Sequence, residues 1–309
     1  MSGYRTIHGD RVHFGWDNSL APALTVAPGE EVEFEVVDAS GGQLSQGSGT
    51  EDVGRLDFGR VNPVTGPVYV EGAEPGDSLV VEILGLEGSG WGWSAIIPGF
   101  GLLAEDFPDP FLHISHYEGN HVDVTPEVRL PLRPFPGTIG AAPAEPGLHP
   151  VVPPREVGGN MDIRDLVAGT RLYLPVRVPG ALFSVGDTHA AQGDGEVCGT
   201  AVETAMRVRL RFGLERATAQ RFPRFVLAGA PGPQVAEKGY QVTTGIGPDL
   251  MLAAKDAVRG MIDLLDREYH VEPPLAYVLC SVAADLKISE VVDAPNWVVS
   301  AYLPRAIFR

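Results

Sequence analysis

The sequence predicts a mainly β protein with a smaller α/β element toward the C-terminus. Three observations carry that expectation. Thirty-eight glycines and 27 prolines punctuate the 309 residues at short intervals. The segments between them alternate apolar and polar residues with period two, as half-buried strands do. One stretch, starting near Asp249, has sustained helical spacing.

Taken in order, LTVAPGEEVEFEVV at 24–37 turns at Pro28-Gly29. It then sets Val32, Phe34 and Val36 on one face and Glu31, Glu33 and Glu35 on the other. PVYVEGAEPGDSLVVEIL at 67–84 repeats the strand–turn–strand pattern. Residues 1–130 are therefore expected to form a β-sandwich or barrel. Residues 131–159 hold eight prolines, with Phe135, Ile139 and Leu148 spaced through them. We expect an ordered surface loop here rather than a linker.

Residues 160–309 read as a second β-rich part, packed with the first as one unit. Asp162 is placed to cap a short helix that Gly169 ends. TRLYLPVRV and GALFSV read as strands, and so does AVETAMRVRLRF, with Met206, Val208, Leu210 and Phe212 opposite Arg207, Arg209 and Arg211. Leu250, Ala254, Ala257, Met261, Leu264 and Leu265 mark a helix near 249–268. YVLCSVAAD, beginning at 277, reads as a late buried strand.

The net charge of −17 repels phosphate backbones and anionic lipid, so nucleic acid and membrane are not expected partners. No apolar run approaches the roughly 18 residues of a membrane span. The N-terminal MSGYRTIHGD lacks the basic-then-apolar pattern of a signal peptide. Cys198 and Cys280 are too few for a disulfide scaffold, which points to a cytoplasmic setting.

The densest chemistry lies in GDTHAAQGDGEVCG at 186–199, directly after an apolar strand. Asp187 and His189 are two apart, as are Asp194 and Glu196, so each pair can face one ion if the segment is extended. Carboxylate with imidazole suits Zn²⁺ or a similar divalent cation. Acidic glycine loops also bind Ca²⁺. A non-catalytic Ca²⁺-binding sandwich that stacks a carbohydrate on Trp91 and Trp93 is thus the alternative reading. Cys198 as a nucleophile is a third reading, against its use as a small buried residue. The sequence contains no GxSxG elbow and no HExxH helix. His113, His116 and His121 read as sheet-surface histidines. WGW at 91–93 could floor a pocket or fill the core.

GDTHAAQGDGE, GGNMDIRDL at 158–166, YLPVRVPGALFSVGD, DASGGQL at 38–44 and HFGWDNSLAPALTVAPGE near the start together resemble the acetamidase/formamidase family. The likeness runs in order over nearly the whole chain, and the chain is most similar to the shorter, acetamidase-like members. It implies a β-rich, metal-dependent hydrolase of small amides such as formamide or acetamide, or of γ-lactams. It implies Asp187, His189 and Asp38 as metal ligands, and Glu196 as the general base acting on water. Gln192 or Asn160 would donate to the developing oxyanion. Asp162, Asp194 and His13 are further candidates for the pocket or metal shell. A homo-oligomer and a small neutral substrate are expected with it.

Overall fold

The computed structural model describes residues 4–101, 104, 108–124, 129–193, 196, 198–227, 239–271, 273, 276, 284–305 and 308. It is mainly β. In chain order the elements are β1 (Arg5–Ile7), β2 (Val12–His13), β3 (Leu24–Val26), β4 (Glu31–Val36), α1 (Thr50–Val53), β5 (Val64–Val70), β6 (Ser78–Gly88) and β7 (Trp91–Ile96). Then come β8 (Phe111–Glu118), β9 (His121–Asp123), β10 (Arg129–Pro131), β11 (Phe135–Gly140), β12 (Gly158–Asn160), β13 (Arg171–Pro175) and β14 (Phe183–His189). The chain continues through β15 (Met206–Glu215), β16 (Arg224–Val226), β17 (Tyr240–Gly247), α2 (Leu250–Tyr269), β18 (Asp285–Glu290) and β19 (Trp297–Pro304).

These strands form three sheets. The largest has nine strands in the order β1-β4-β15-β6-β13-β16-β17-β19-β18. A six-stranded sheet runs β12-β11-β14-β5-β2, with β3 beside β5, and a four-stranded sheet runs β10-β9-β8-β7. Among the described residues no sheet closes into a barrel. The nine-stranded sheet takes strands from both halves of the chain: β15 lies between β4 and β6 in antiparallel register, with Val208 opposite Phe34.

The alternation read in the sequence sets the packing. Val32, Phe34 and Val36 of β4 are buried, while Glu31, Glu33 and Glu35 are only partly covered. Phe34, Phe212 of β15 and Phe183 of β14 meet edge to face, with ring centroids 5.1 to 6.4 Å apart. Phe183 belongs to the six-stranded sheet and the other two to the nine-stranded one, so this aromatic cluster joins the two layers.

The helix falls where its spacing placed it. Asp249 caps it, its side chain accepting from the Leu252 N–H at 2.7 Å. Ala253, Ala257, Met261, Leu264 and Leu265 pack on Val299, Ala301 and Leu303 of β19. Against β17 the approach is so close that a Cβ on Gly245 would lie 1.9 Å from the Ala253 carbonyl oxygen. Only glycine fits there. No helix among the described residues is long and apolar enough to cross a membrane.

Three expectations are corrected. The proline-rich stretch 131–159 is not all loop: Phe135–Gly140 is the buried strand β11, held between β12 and β14. Residues 161–169 form turns rather than a capped helix, and Asp162 has φ 48°. GDTH is the end of β14 rather than part of a loop, because Thr188 and His189 still pair with β11. Most of the strand expected from residue 277 lies outside the described residues.

The aromatic cluster gives a direct test. Phe183→Ala should cost about 4 kcal/mol, the usual range for a buried phenylalanine, with Phe183→Leu much milder. Urea unfolding measures both, and equal small losses would mean that the cluster does not join the sheets.

Candidate functional site

The site forms where β14 ends. Asp187 and His189 project into the interior, and β11 passes beside them. A Cβ on Gly137 of β11 would lie 2.4 Å from Asp162 Oδ1 and 2.7 Å from His189 Cε1, so a glycine is required for that approach. The Asp187–His189 pair meets as the i, i+2 spacing predicted, with His189 Nε2 3.2 Å from Asp187 Oδ1. Asp187 has φ 51°, so the backbone there is left-handed rather than extended. Glu203, bridged antiparallel to His189, brings Oε2 to 3.0 Å from the same nitrogen.

Two overlapping sets of ligand-type atoms result. Asp187, His189 and Glu203 form one, and Asp162, His189 and Glu196 form the other; within each, the atoms lie within 4.8 Å of one another. All five residues are buried. His189 Nε2 and Glu203 Oε2 make no aligned hydrogen bond in spite of their proximity. His189 Nε2 stands at ion-pair distance from both carboxylates, and the same convergence of ligand atoms could hold a cation. The donor set of imidazole and carboxylate fits a divalent metal of the Zn²⁺ kind.

Gln192 fixes which imidazole nitrogen faces the cluster. Its amide nitrogen donates to the Asp162 carbonyl at 2.9 Å, which leaves Oε1 facing His189 Nδ1 at 2.9 Å. An amide oxygen can only accept, so Nδ1 carries a proton there. Nε2 is then the atom available to the cluster, either protonated or as a lone-pair donor. Gln192 is thereby occupied as the holder of His189, and the oxyanion role read for it from the sequence is not the one its contacts support.

Asp162, Asp187, Glu196 and Glu203 group with this imidazole, Glu290 and Asp293 act on Asp162 in turn, and all six carboxyl groups are buried. Burial pushes Asp162 well above the usual carboxylate range, and the Asp187 carboxylate adds to it. Burial and Asp162 push Glu196 up in the same way. Burial raises Asp293 well above its ordinary value, helped by Asp162 and Glu290. Glu203 and Glu290 are raised to about 7, both mainly by burial. For His189, burial alone would favour the neutral ring, yet the carboxylates of Glu203 and Asp187 raise it well above its usual value.

A cavity of about 250 Å³ opens onto this cluster. Asn160, Asp187, Glu196, Glu203 and Asp293 line its acidic end, while Leu56, Phe58, Val61, Trp93, Ile97 and Phe100 line the rest. Trp93 is thus wall rather than filler, and its indole N–H donates to Asp38 Oδ1 at 3.0 Å. Asn160 lines the cavity with its amide nitrogen donating to Asp293 and its oxygen accepting from Thr138.

Other candidates stand apart. Asp38 is in neither ligand set; its Oδ1 is taken by Ser40 and Trp93. His13 bonds the Gly15 carbonyl at 2.7 Å and Ser184 Oγ at 2.8 Å, which ties it to β14 and not to the cluster. Asp194 lies outside the described residues. Cys198 donates to the Ala95 and Thr200 carbonyls, contacts of a structural thiol. His113 sits on β8, bonded to the Val124 carbonyl. Sequence reasoning missed Glu203, Glu290 and Asp293. The available signal was the lone acid in AVETAM and the paired acids in SEVVDAP, each set among small or apolar residues.

A buried acid–imidazole cluster beside a largely apolar cavity is the candidate active site, and the comparisons name the class of protein that carries it. The model of the acetamidase/formamidase family matches residues 5–151 and 144–309. The formamidase of Methylophilus methylotrophus is 28% identical, over 96% of this chain and 89% of its own. The crystal structure of an acetamidase from Bacillus halodurans superposes with a TM-score of 0.89 at 32% identity, covering 98% of both chains. The γ-lactamase of Delftia acidovorans gives a TM-score of 0.69 at 30% identity, over 98% of this chain and 93% of that one.

This chain belongs to the acetamidase/formamidase family. It is an amidase, acting on carbon–nitrogen bonds other than peptide bonds. The non-catalytic carbohydrate-binding alternative is therefore set aside. The contacts of Trp93 agree, since that ring is buried at 3% exposure instead of being offered to solvent.

The charge cluster predicts how the protein behaves when stripped of divalent cations by a chelator. Carboxyls raised on folding bind protons more tightly in the folded state, so stability falls as pH rises from about 4 through about 7. His189, raised as well, stabilises fully below about 6.5 and loses that contribution as pH climbs through its folded value. Both signs agree. Thermal unfolding of the stripped protein should weaken steadily between about pH 5 and pH 8, and Zn²⁺ should restore it. A flat or rising profile would contradict the cluster as described.

Proposed function

We propose that the chain hydrolyses a primary carboxamide with a divalent metal, Zn²⁺ for preference, held at the acidic end of the cavity. The observation that carries the reading is the convergence of His189 Nε2 with the Asp187 and Glu203 carboxylates, 3.2 and 3.0 Å away in the interior. Those three residues, with Asp162, are the proposed holders of the cation. A bound divalent cation polarises a carbonyl and acidifies water. The imidazole ligand favours Zn²⁺ over Ca²⁺. The names formamidase and acetamidase among the relatives support a primary amide, and the γ-lactamase neighbour supports a cyclic one as the second choice.

Glu196 is the proposed proton carrier. It lines the cavity, and burial with Asp162 raises its proton affinity well above that of an ordinary carboxylate, as suits a general base. It takes a proton from water as the water oxygen bonds to the amide carbon. It returns that proton to the nitrogen as the carbon–nitrogen bond breaks, which leaves ammonia and a carboxylic acid, and the acid then gives its proton to the ammonia to form carboxylate and ammonium. Asn160 lines the cavity, as Gln192 does not, and with one amide N–H on Asp293 its other N–H is the proposed donor to the substrate oxygen. Gln192 holds His189 in the required tautomer. The edge strand β18, with Leu286 and Ile288 about half exposed, supports a homo-oligomeric assembly.

Glu196→Gln should lower kcat for acetamide by about 10²- to 10⁴-fold, the usual share of general acid–base catalysis, while keeping bound metal. Ammonia release and metal analysis of the same sample test this. Full turnover by the metal-loaded variant would remove Glu196 from the role.

A further inference from the structure

The cavity is larger and more apolar than a one- or two-carbon amide needs. Acetamide has four heavy atoms, about the bulk of three waters at ~30 Å³ each. The cavity holds about 250 Å³. Beside the acids and Asn160, the lining is mostly hydrocarbon and aromatic, with Ser40, Asn62 and Thr200 among it. Trp93 spends its one polar atom on Asp38, so it presents an apolar ring. Among the described lining residues there is no Lys, Arg or His, and the acids at the far end repel an anionic substituent.

The wall is also built in place. Phe58 is 60% exposed, a large apolar side chain beside the cavity. It follows Asp57, whose carboxylate accepts from the Gly59 N–H at 2.9 Å and fixes the turn. Gln43 in turn ties that turn to the cavity wall. Its Oε1 accepts from the Asp57 N–H at 2.8 Å, and its Nε2 donates to the Ser40 carbonyl at 2.8 Å. The DASGGQL motif, which supplies no member of the metal set, thus serves to position Phe58. An exposed phenylalanine held this firmly gains contact area only when something apolar covers it.

We infer that the preferred substrate is a primary carboxamide with an uncharged, apolar acyl group of about five to seven carbons, received by Phe58, Trp93, Val61 and Ile97. The inference rests on the amidase reading above. It assigns Phe58 as a specificity residue and Gln43 as the residue that positions it.

The test is a series of amides: acetamide, butanamide, hexanamide and benzamide, with N-butylacetamide as the arm that puts the carbon on nitrogen. Burial of each added methylene should raise kcat/KM about fourfold, so hexanamide should exceed acetamide by roughly two orders of magnitude. Phe58→Ala should cut the hexanamide-to-acetamide ratio several-fold, and Phe58→Trp should restore it. Gln43→Ala should cut the same ratio with less effect on acetamide. Val61→Trp, which fills the cavity, should collapse the ratio at least tenfold. Calorimetry of hexanamide on the Glu196→Gln protein supplies a readout without turnover, with affinity following chain length.

If acetamide is hydrolysed and the ratio stays flat or falls with length, this inference is wrong and the amidase reading stands. If N-butylacetamide gains instead of hexanamide, the apolar wall receives the leaving group and the acyl assignment is overturned. If no amide in the series is turned over or bound, the amidase reading fails and takes the inference with it.

Discussion

The burial of like charge around a single imidazole is the constraint on which the rest of the molecule depends. Six carboxyl groups withdrawn from water with one histidine among them cannot all be ionised without compensation. The proton affinities of Asp162, Glu196, Glu203, Glu290 and Asp293 rise, or a cation joins the group. Such a cluster persists only inside a scaffold that loses more by relaxing than the charges gain by separating. The scaffold here is a sheet pair joined through Phe34, Phe183 and Phe212, with strand β14 running directly from that aromatic cluster to Asp187 and His189. Core packing and site chemistry are carried on one seven-residue strand.

Much of this was legible in the chain. Period-two alternation placed β4 and β15, because each has one face on the core and one toward solvent. Helical spacing and the Asp249 cap placed α2. The Asp187–His189 pair was legible because two residues apart on a strand is a local relation. Glu203 was not, since it reaches His189 through an antiparallel bridge that no spacing encodes. Glu290 and Asp293 were hidden for the same reason. Strand β11 was misread because its prolines and glycines are those of a loop. Gly137 is there for the close approach of Asp162 and His189, and chain pattern alone does not distinguish such a glycine from a turn.

Gln192 illustrates a further limit. From the sequence it is a polar residue in a glycine-rich loop, suited to donating toward a substrate. In the fold both ends of its amide are engaged, one on the Asp162 carbonyl and one on His189 Nδ1. Its contribution is to decide which nitrogen of the imidazole faces the carboxylates. A role of that kind depends on two partners from separate segments and becomes visible only once all three are assembled.

The interleaving of the nine-stranded sheet bears on how the chain comes to be folded. β15 must insert between β4 and β6, and the acids that complete the cluster include Asp293, close to the C-terminus. During synthesis the early strands therefore wait, with an open edge, for a neighbour more than a hundred residues downstream of β6. The repulsive centre is assembled only after Asp293 has left the ribosome, by which time the sheets that restrain it can already be in contact.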